Sequence, residues 1–211
     1  MHLEYINTEC ELTELDLSNI IKNEINKLPN IQTVILPQYF VKMARGLLSE
    51  NKKVSCVIDY PLGYSDIKSR ASLSASAIKN GADMLDIVLP AQYLSNRKYD
   101  KIREDIKYQK ENLDVSKIRY ILEYRIFDHN YLKKMCEILI DAGIVNIVPS
   151  SGYRIDNLAD FIIASEFLKS HFDQLQITLS ANFWNNQHFE MIYGQKFYAL
   201  RSGSINILND L

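Results

Sequence analysis

The chain has 211 residues, 47% hydrophobic and 24% charged, with a formal net charge of −2, the composition of one large or two small globular domains. Lysine, arginine and carboxylate residues are interspersed, which excludes the basic footprint of a nucleic-acid binder and a polybasic membrane patch. No apolar run approaches the roughly 20 residues of a membrane-spanning helix. The opening MHLEYINTECEL lacks the pattern of a secretory signal. Cys10, Cys56 and Cys136 are scattered, with no CxxC or Cys/His cluster for structural zinc. A reducing, cytoplasmic setting is the expectation.

Taken in order, Leu3 to Ile6 reads as a first strand and Leu12 to Leu28 as an amphipathic helix stopped by Pro29. Thr33 to Leu36 is a short strand, and Gln38 to Glu50 returns to helical spacing. Val54 to Pro90 is the stretch around which the chain is organised. VSCVI is a β-branched strand closed by the Pro61-Leu62-Gly63 turn, and Ser65 to Asn80 a helix stopped by Gly81. Met84 to Leu89 is then too apolar to have a wet face, as in a parallel sheet. Asp86 interrupts that run, and a carboxylate in a buried strand is rare unless paired or used.

A charged helix follows over Tyr99 to Asn112, then a strand over Ile118 to Leu122 and a helix over Asn130 to Ala142. Val145 to Val148 is a strand, Leu158 to Ser170 a helix and Gln176 to Leu179 a strand. Gln187 to Tyr193 is a short helix, and Phe197 to Leu200 the last strand. Regular alternation with short connections predicts a parallel sheet with helical crossovers, one (β/α)8 TIM barrel over residues 1–211. An open doubly wound sheet is the competitor, and no Gly-rich dinucleotide fingerprint supports it.

PLGYSDIKSRASLSASAIKNGADMLDIVLP, with YDKIREDI, LEY at Leu122 to Tyr124, CEILIDAG and SSGY following in order, resembles the deoxyribose-phosphate aldolases over nearly the whole chain. The resemblance implies a class I aldolase barrel whose relatives cleave 2-deoxyribose 5-phosphate to glyceraldehyde 3-phosphate and acetaldehyde. Those relatives carry a Schiff-base lysine in Lys-Thr-Ser-Thr-Gly-Phe on the sixth strand. VPSSGY here puts Val148 at that position. A second lysine, in Lys-Ala-Ser-Gly-Gly on the seventh strand, is matched by Thr178 in TLSAN. The catalytic aspartate is retained as Asp86, and the family's N-terminal Asp-His pair aligns with Glu4-Tyr5. A Schiff base requires a primary amine near the carbonyl, so classical aldolase activity is expected to be absent.

The family's phosphate cradle is altered as well. Ser151-Gly152 keeps its first piece, Ala181-Asn182 replaces paired glycines beside Ser180, and Arg201-Ser202-Gly203 keeps the third turn and adds a guanidinium. With Arg125 and Arg154 also beyond expected strand ends, a small anionic or sugar-like ligand such as a sugar phosphate is one reading. A lyase or isomerase using Asp59, Asp86 and Glu123 for acid–base chemistry or for a divalent cation is a second. The third is a non-catalytic interaction scaffold, for which a homodimer is one arrangement. Tyr39, Phe40, Tyr60, Tyr64, Tyr93, Tyr124, Tyr153, Phe183 and Trp184 fall at turns after strands and either line or plug the mouth. No dedicated metal site is expected, and the four histidines form no catalytic arrangement.

Overall fold

The computed structural model describes all residues except 112, 155–156, 181–186, 188–191, 193–196 and 210–211. Eight parallel strands close into a barrel in sequence order: β1 (His2–Ile6), β2 (Ile31–Leu36), β3 (Lys53–Ile58), β4 (Met84–Val88), β5 (Ile118–Ile121), β6 (Asn146–Val148), β7 (Gln176–Ser180) and β8 (Ala199–Ser202). Helices lie between and after them: α1 (Glu14–Asn23), α2 (Gln38–Leu47), α3 (Ile67–Lys79), α4 (Ala91–Ser95), α5 (Tyr99–Lys110), α6 (His129–Asp141), α7 (Leu158–His171) and, past β8, α8 (Ile205–Asn209). The closed sheet is that of a (β/α)8 barrel, and the open alternative falls. The helix expected over Gln187 to Tyr193 lies almost wholly outside the described residues.

Local chemistry sets the helix starts. Thr13, Asp66, Asp128 and Asn157 each accept amide hydrogen bonds from the first turn of α1, α3, α6 and α7, satisfying donors that have no partner within the helix. Gly81, at φ 99°, ends α3 in a conformation that a Cβ would disfavour. The first helix is shorter than its apolar spacing suggests, giving way after Asn23 to a 3₁₀ turn over Ile25–Lys27 that leads to Pro29. The short helices α4 and α8 carry too few residues to show a period.

The side chains on the outer face of the sheet pack with the helices into one continuous apolar core, including Val34, Leu36, Val54, Leu85, Ile87, Leu200 and Ile147. Each such side chain contributes about 1.5–3 kcal/mol on removal from water. Strand alternation turns the intervening residues inward. Registers align Glu4 with Arg201, Asp86 with Arg119, and Arg119 with Asn146, so one belt of the interior is polar. β8 begins two residues later than its expected start at Phe197, and this offset decides where Arg201 lies.

Candidate functional site

The carboxylate that interrupts β4 is part of a closed ion network across the barrel axis. Asp86 Oδ1 accepts from Arg119 Nε at 2.8 Å and from the Ser55 hydroxyl at 3.1 Å. Its Oδ2 accepts from Arg201 Nη2 at 2.5 Å and Arg119 Nη2 at 3.2 Å. Glu4 completes the ring, taking Arg119 Nη1 at 2.8 Å and Arg201 Nη2 at 3.0 Å. Arg119 Nη1 also donates to the Thr178 hydroxyl at 3.0 Å. β1 and β5 stand on opposite sides of an eight-stranded barrel, so the Glu4–Arg119 contact spans its interior. Two guanidinium groups face two carboxylates, and all four side chains are buried.

Burial alone would raise the Asp86 carboxyl, but the positive charges of Arg119 and Arg201 and their hydrogen bonds outweigh it and hold it below the ordinary carboxylate value. For Arg119, burial would favour the neutral form, and Asp86 and Glu4 reverse that. Among the described residues no lysine pairs with Asp86. Lys52 is a buried lysine, and its amine sits near the N-terminal entrance, donating to the Leu28 and Ile31 carbonyl oxygens at 2.6 and 2.7 Å.

Two residues further along β4, β5 and β6 on the same inward face are Val88, Ile121 and Val148. They form a separate apolar cluster, each 0–1% exposed, with Tyr60 packed against it. The Tyr60 hydroxyl donates to the Ser151 carbonyl oxygen at 2.9 Å, tying the turn after β3 to the loop after β6. Val148 therefore lies in a hydrophobic layer above the ion network, on the side of the barrel where sites are built in this fold. Thr178, at the second lysine position, is fully buried beneath it with its hydroxyl held by Arg119.

The three carboxylates foreseen as a catalytic or cation-binding set do not converge. Asp59 adopts φ 57°, a left-handed conformation in which Asp is tolerated better than most residues. It accepts from the Ser65 amide at 3.0 Å, the Ser65 hydroxyl at 2.7 Å and Arg70 Nη1 at 2.7 Å. Arg70 is fully buried and also binds Asp105 at 2.9 Å and the Val88 carbonyl oxygen at 2.6 Å. Asp59 is thus a loop clamp joined to α3, α5 and the end of β4. In the same turn Gly63 has φ 67°, and a Cβ there would stand 2.1 Å from the Leu89 carbonyl oxygen. Glu123 accepts from the Ser151 amide at 2.5 Å. Among the described residues no group of three or more His, Cys, Asp or Glu side chains is arranged to hold a metal ion.

The foreseen anion contacts are dispersed by the same hydrogen bonding. The Ser151 amide is committed to Glu123, the Gly152 amide to Ser150 Oγ at 3.1 Å, and the Tyr153 amide to Ser151 Oγ at 3.1 Å. Arg201 is corrected from a rim guanidinium to a member of the interior network, because the late start of β8 places it within the strand. Ser202 is likewise buried in the strand and accepts from the Ser204 amide at 3.0 Å. Ser180 ends β7 half-buried, and Gly203 is exposed just past β8. Arg125 pairs with Asp160 at 2.9 Å, and Arg154 is exposed. Ala181, Asn182, Phe183 and Trp184 lie outside the described residues.

Arg119 and Arg70 carry the two buried networks and were not singled out from the sequence. The available signal was charge: Arg119 interrupts the strand IRYI as Asp86 interrupts MLDIV.

A closed barrel of eight parallel strands with helices packed around it defines the class, a (β/α)8 barrel. The chain is 32% identical over 123 residues to the deoxyribose-phosphate aldolase of Clostridioides difficile, a match covering 58% of this chain and only 56% of that protein. It is 27% identical over 164 residues to that of Mycoplasmopsis synoviae, covering 75% and 73% of the two chains. In three dimensions it superposes on the aldolase QR15 with a TM-score of 0.85 at 22% identity, covering 98% and 94%. The deoxyribose phosphate aldolase of Aeropyrum pernix gives 0.81 at 17% identity, covering 97% and 86%. No protein-family model matches the chain. In sequence and in fold the chain is similar to the deoxyribose-phosphate aldolases. Among the described residues no helix is long and apolar enough to cross a membrane.

Proposed function

We propose that this chain is an aldolase-type barrel that performs no Schiff-base chemistry, its ancestral centre converted into a structural core. One observation carries this reading. Val148, at the position implied for the nucleophilic lysine, is a fully buried isopropyl group packed with Val88 and Ile121 beneath Tyr60. Carbonyl capture needs an amine with a free lone pair beside the substrate, and neither Val148 nor Thr178 offers one. Asp86 is unsuited to a general base, because a base effective near neutrality has a pKa near 7 and two guanidinium groups drive this one the other way. The amides of Ser151, Gly152 and Tyr153 already have internal acceptors, so capture of a phosphate at that loop is not part of the proposal. The free thiols suit a reducing, cytoplasmic setting.

The test is acetaldehyde release from 2-deoxyribose 5-phosphate by the purified full chain. The expected rate equals that of buffer. Turnover abolished by substituting a single lysine of this chain would overturn the proposal.

A further inference from the structure

A cavity of about 710 Å³ opens at the N-terminal end of the barrel, the end opposite the mouth discussed above. Its walls come from the entrances of all eight strands, from His2 on β1 through Lys53, Lys117 and Asn146 to Gln176 and Tyr198, so it lies on the barrel axis. Its roof includes Glu4, whose carboxylate is closed off from above by Arg119 and Arg201. The ion network therefore separates this cavity from the apolar cluster around Val148. The volume falls within the range of small-molecule sites.

The charge of the lining is unbalanced. Glu4 is neutralised by its two guanidinium partners, and Asp83 pairs with Arg45 at 3.0 Å while accepting the Val54 amide at 2.9 Å. Lys53 and Lys117 are exposed at the rim and form no ion pair among the described residues. Asp114 feels the charge of Lys117, but its carboxylate is held by the Ser116 amide and hydroxyl at 2.9 and 2.6 Å. Lys53 and Lys117 thus bring two ammonium groups to the lining, the second in the field of Asp114.

The deeper wall is polar. Thr33 is only 5% exposed and places a hydroxyl-bearing side chain in the lining. Asn146, 7% exposed, uses its amide nitrogen on the Ser116 carbonyl oxygen at 3.3 Å. Gln32 and Gln176 add two carboxamides nearer the opening. Hydroxyl and carboxamide groups at depth with two ammonium groups at the rim match a ligand carrying several hydroxyls at one end and a compact dianion at the other.

We propose that this N-terminal cavity is a binding site for a phosphorylated polyol, with Lys53 and Lys117 on the phosphate and Thr33, Asn146 and Gln176 on the hydroxyls. Binding is read by calorimetry and thermal shift on the full chain, with ribose 5-phosphate as probe and ribose and inorganic phosphate as controls. The expected result is saturable stabilisation by ribose 5-phosphate exceeding that by either control. The affinity should fall at least tenfold in K53Q/K117Q, whose exposed positions leave the fold intact, and weaken as salt is raised. Thr33→Val should weaken binding without abolishing it. Absence of binding at millimolar probe overturns the proposal. So does binding unchanged in K53Q/K117Q, or lost instead in Arg154→Gln, which would put the ligand at the other end of the barrel. Neither result bears on acetaldehyde release, so the two proposals fail separately.

Discussion

Asp86 Oδ2 lies 2.5 Å from Nη2 of Arg201, a contact between the fourth and eighth strands that passes through the interior of the barrel. The same nitrogen also serves Glu4, so one guanidinium holds two carboxylates. A carboxylate held in this way is fully paired within the barrel. Buried charges of this kind add little as a matched set, but removing one partner leaves the others uncompensated.

Asp86→Asn should therefore destabilise the fold by about 3–5 kcal/mol, the usual cost of breaking a buried pair from one side. The acid limb should change too. Because the folded-state carboxyl is held below its ordinary value, the unfolded chain takes up the proton first as pH falls through roughly 3.9. The stabilisation is complete above that range and is lost as pH drops toward the folded-state value. Urea midpoints measured from pH 6 to pH 3 should show a steep decline in the wild type and a shallower one in Asp86→Asn.

Restoring the implied nucleophile alone should fail. In Val148→Lys an amine replaces a side chain fully buried among Val88, Ile121 and Tyr60, leaving an unpaired buried charge that costs about 3–5 kcal/mol. Denaturant melts should show the loss, and acetaldehyde release should stay at background.

Asp59 offers a test of backbone against side chain. At φ 57°, alanine carries the left-handed penalty and also loses the bonds to Ser65 and Arg70, whereas glycine loses only the bonds. Both variants should be less stable than wild type, with Asp59→Gly more stable than Asp59→Ala by roughly 1–2 kcal/mol. Equal midpoints would remove the conformational part of this account.

Burial pushes the thiols of Cys56 and Cys136 up to about 12, with the Asp86 charge adding to the first and that of Glu137 to the second. Cys10 is exposed. A disulfide reagent at pH 8 should modify only Cys10 in the native protein, and all three cysteines in denaturant.

Much of this was legible beforehand, and the misses have local causes. Alternation of short apolar runs with helical spacing gave the eight strands, and a carboxylate in MLDIV marked the interior. The network around it was hidden because Arg201 reaches Asp86 from β8 and Arg119 reaches Glu4 from β5, contacts across the barrel that no local pattern encodes. Arg201 was expected at the rim because Phe197 and Tyr198 read as the start of the last strand, which begins at Ala199. Asp59 looked like a candidate ligand because sequence does not display a positive φ. Tyr60, one of the aromatics expected to line or plug the mouth, packs against Val88, Ile121 and Val148.

The central claim, that no amine in this barrel captures a carbonyl substrate, is tested most directly by borohydride reduction with 2-deoxyribose 5-phosphate and intact-mass measurement. The account predicts an unchanged protein mass under conditions in which an active deoxyribose-phosphate aldolase is quantitatively labelled. A single stoichiometric adduct, mapped to one lysine, would contradict it.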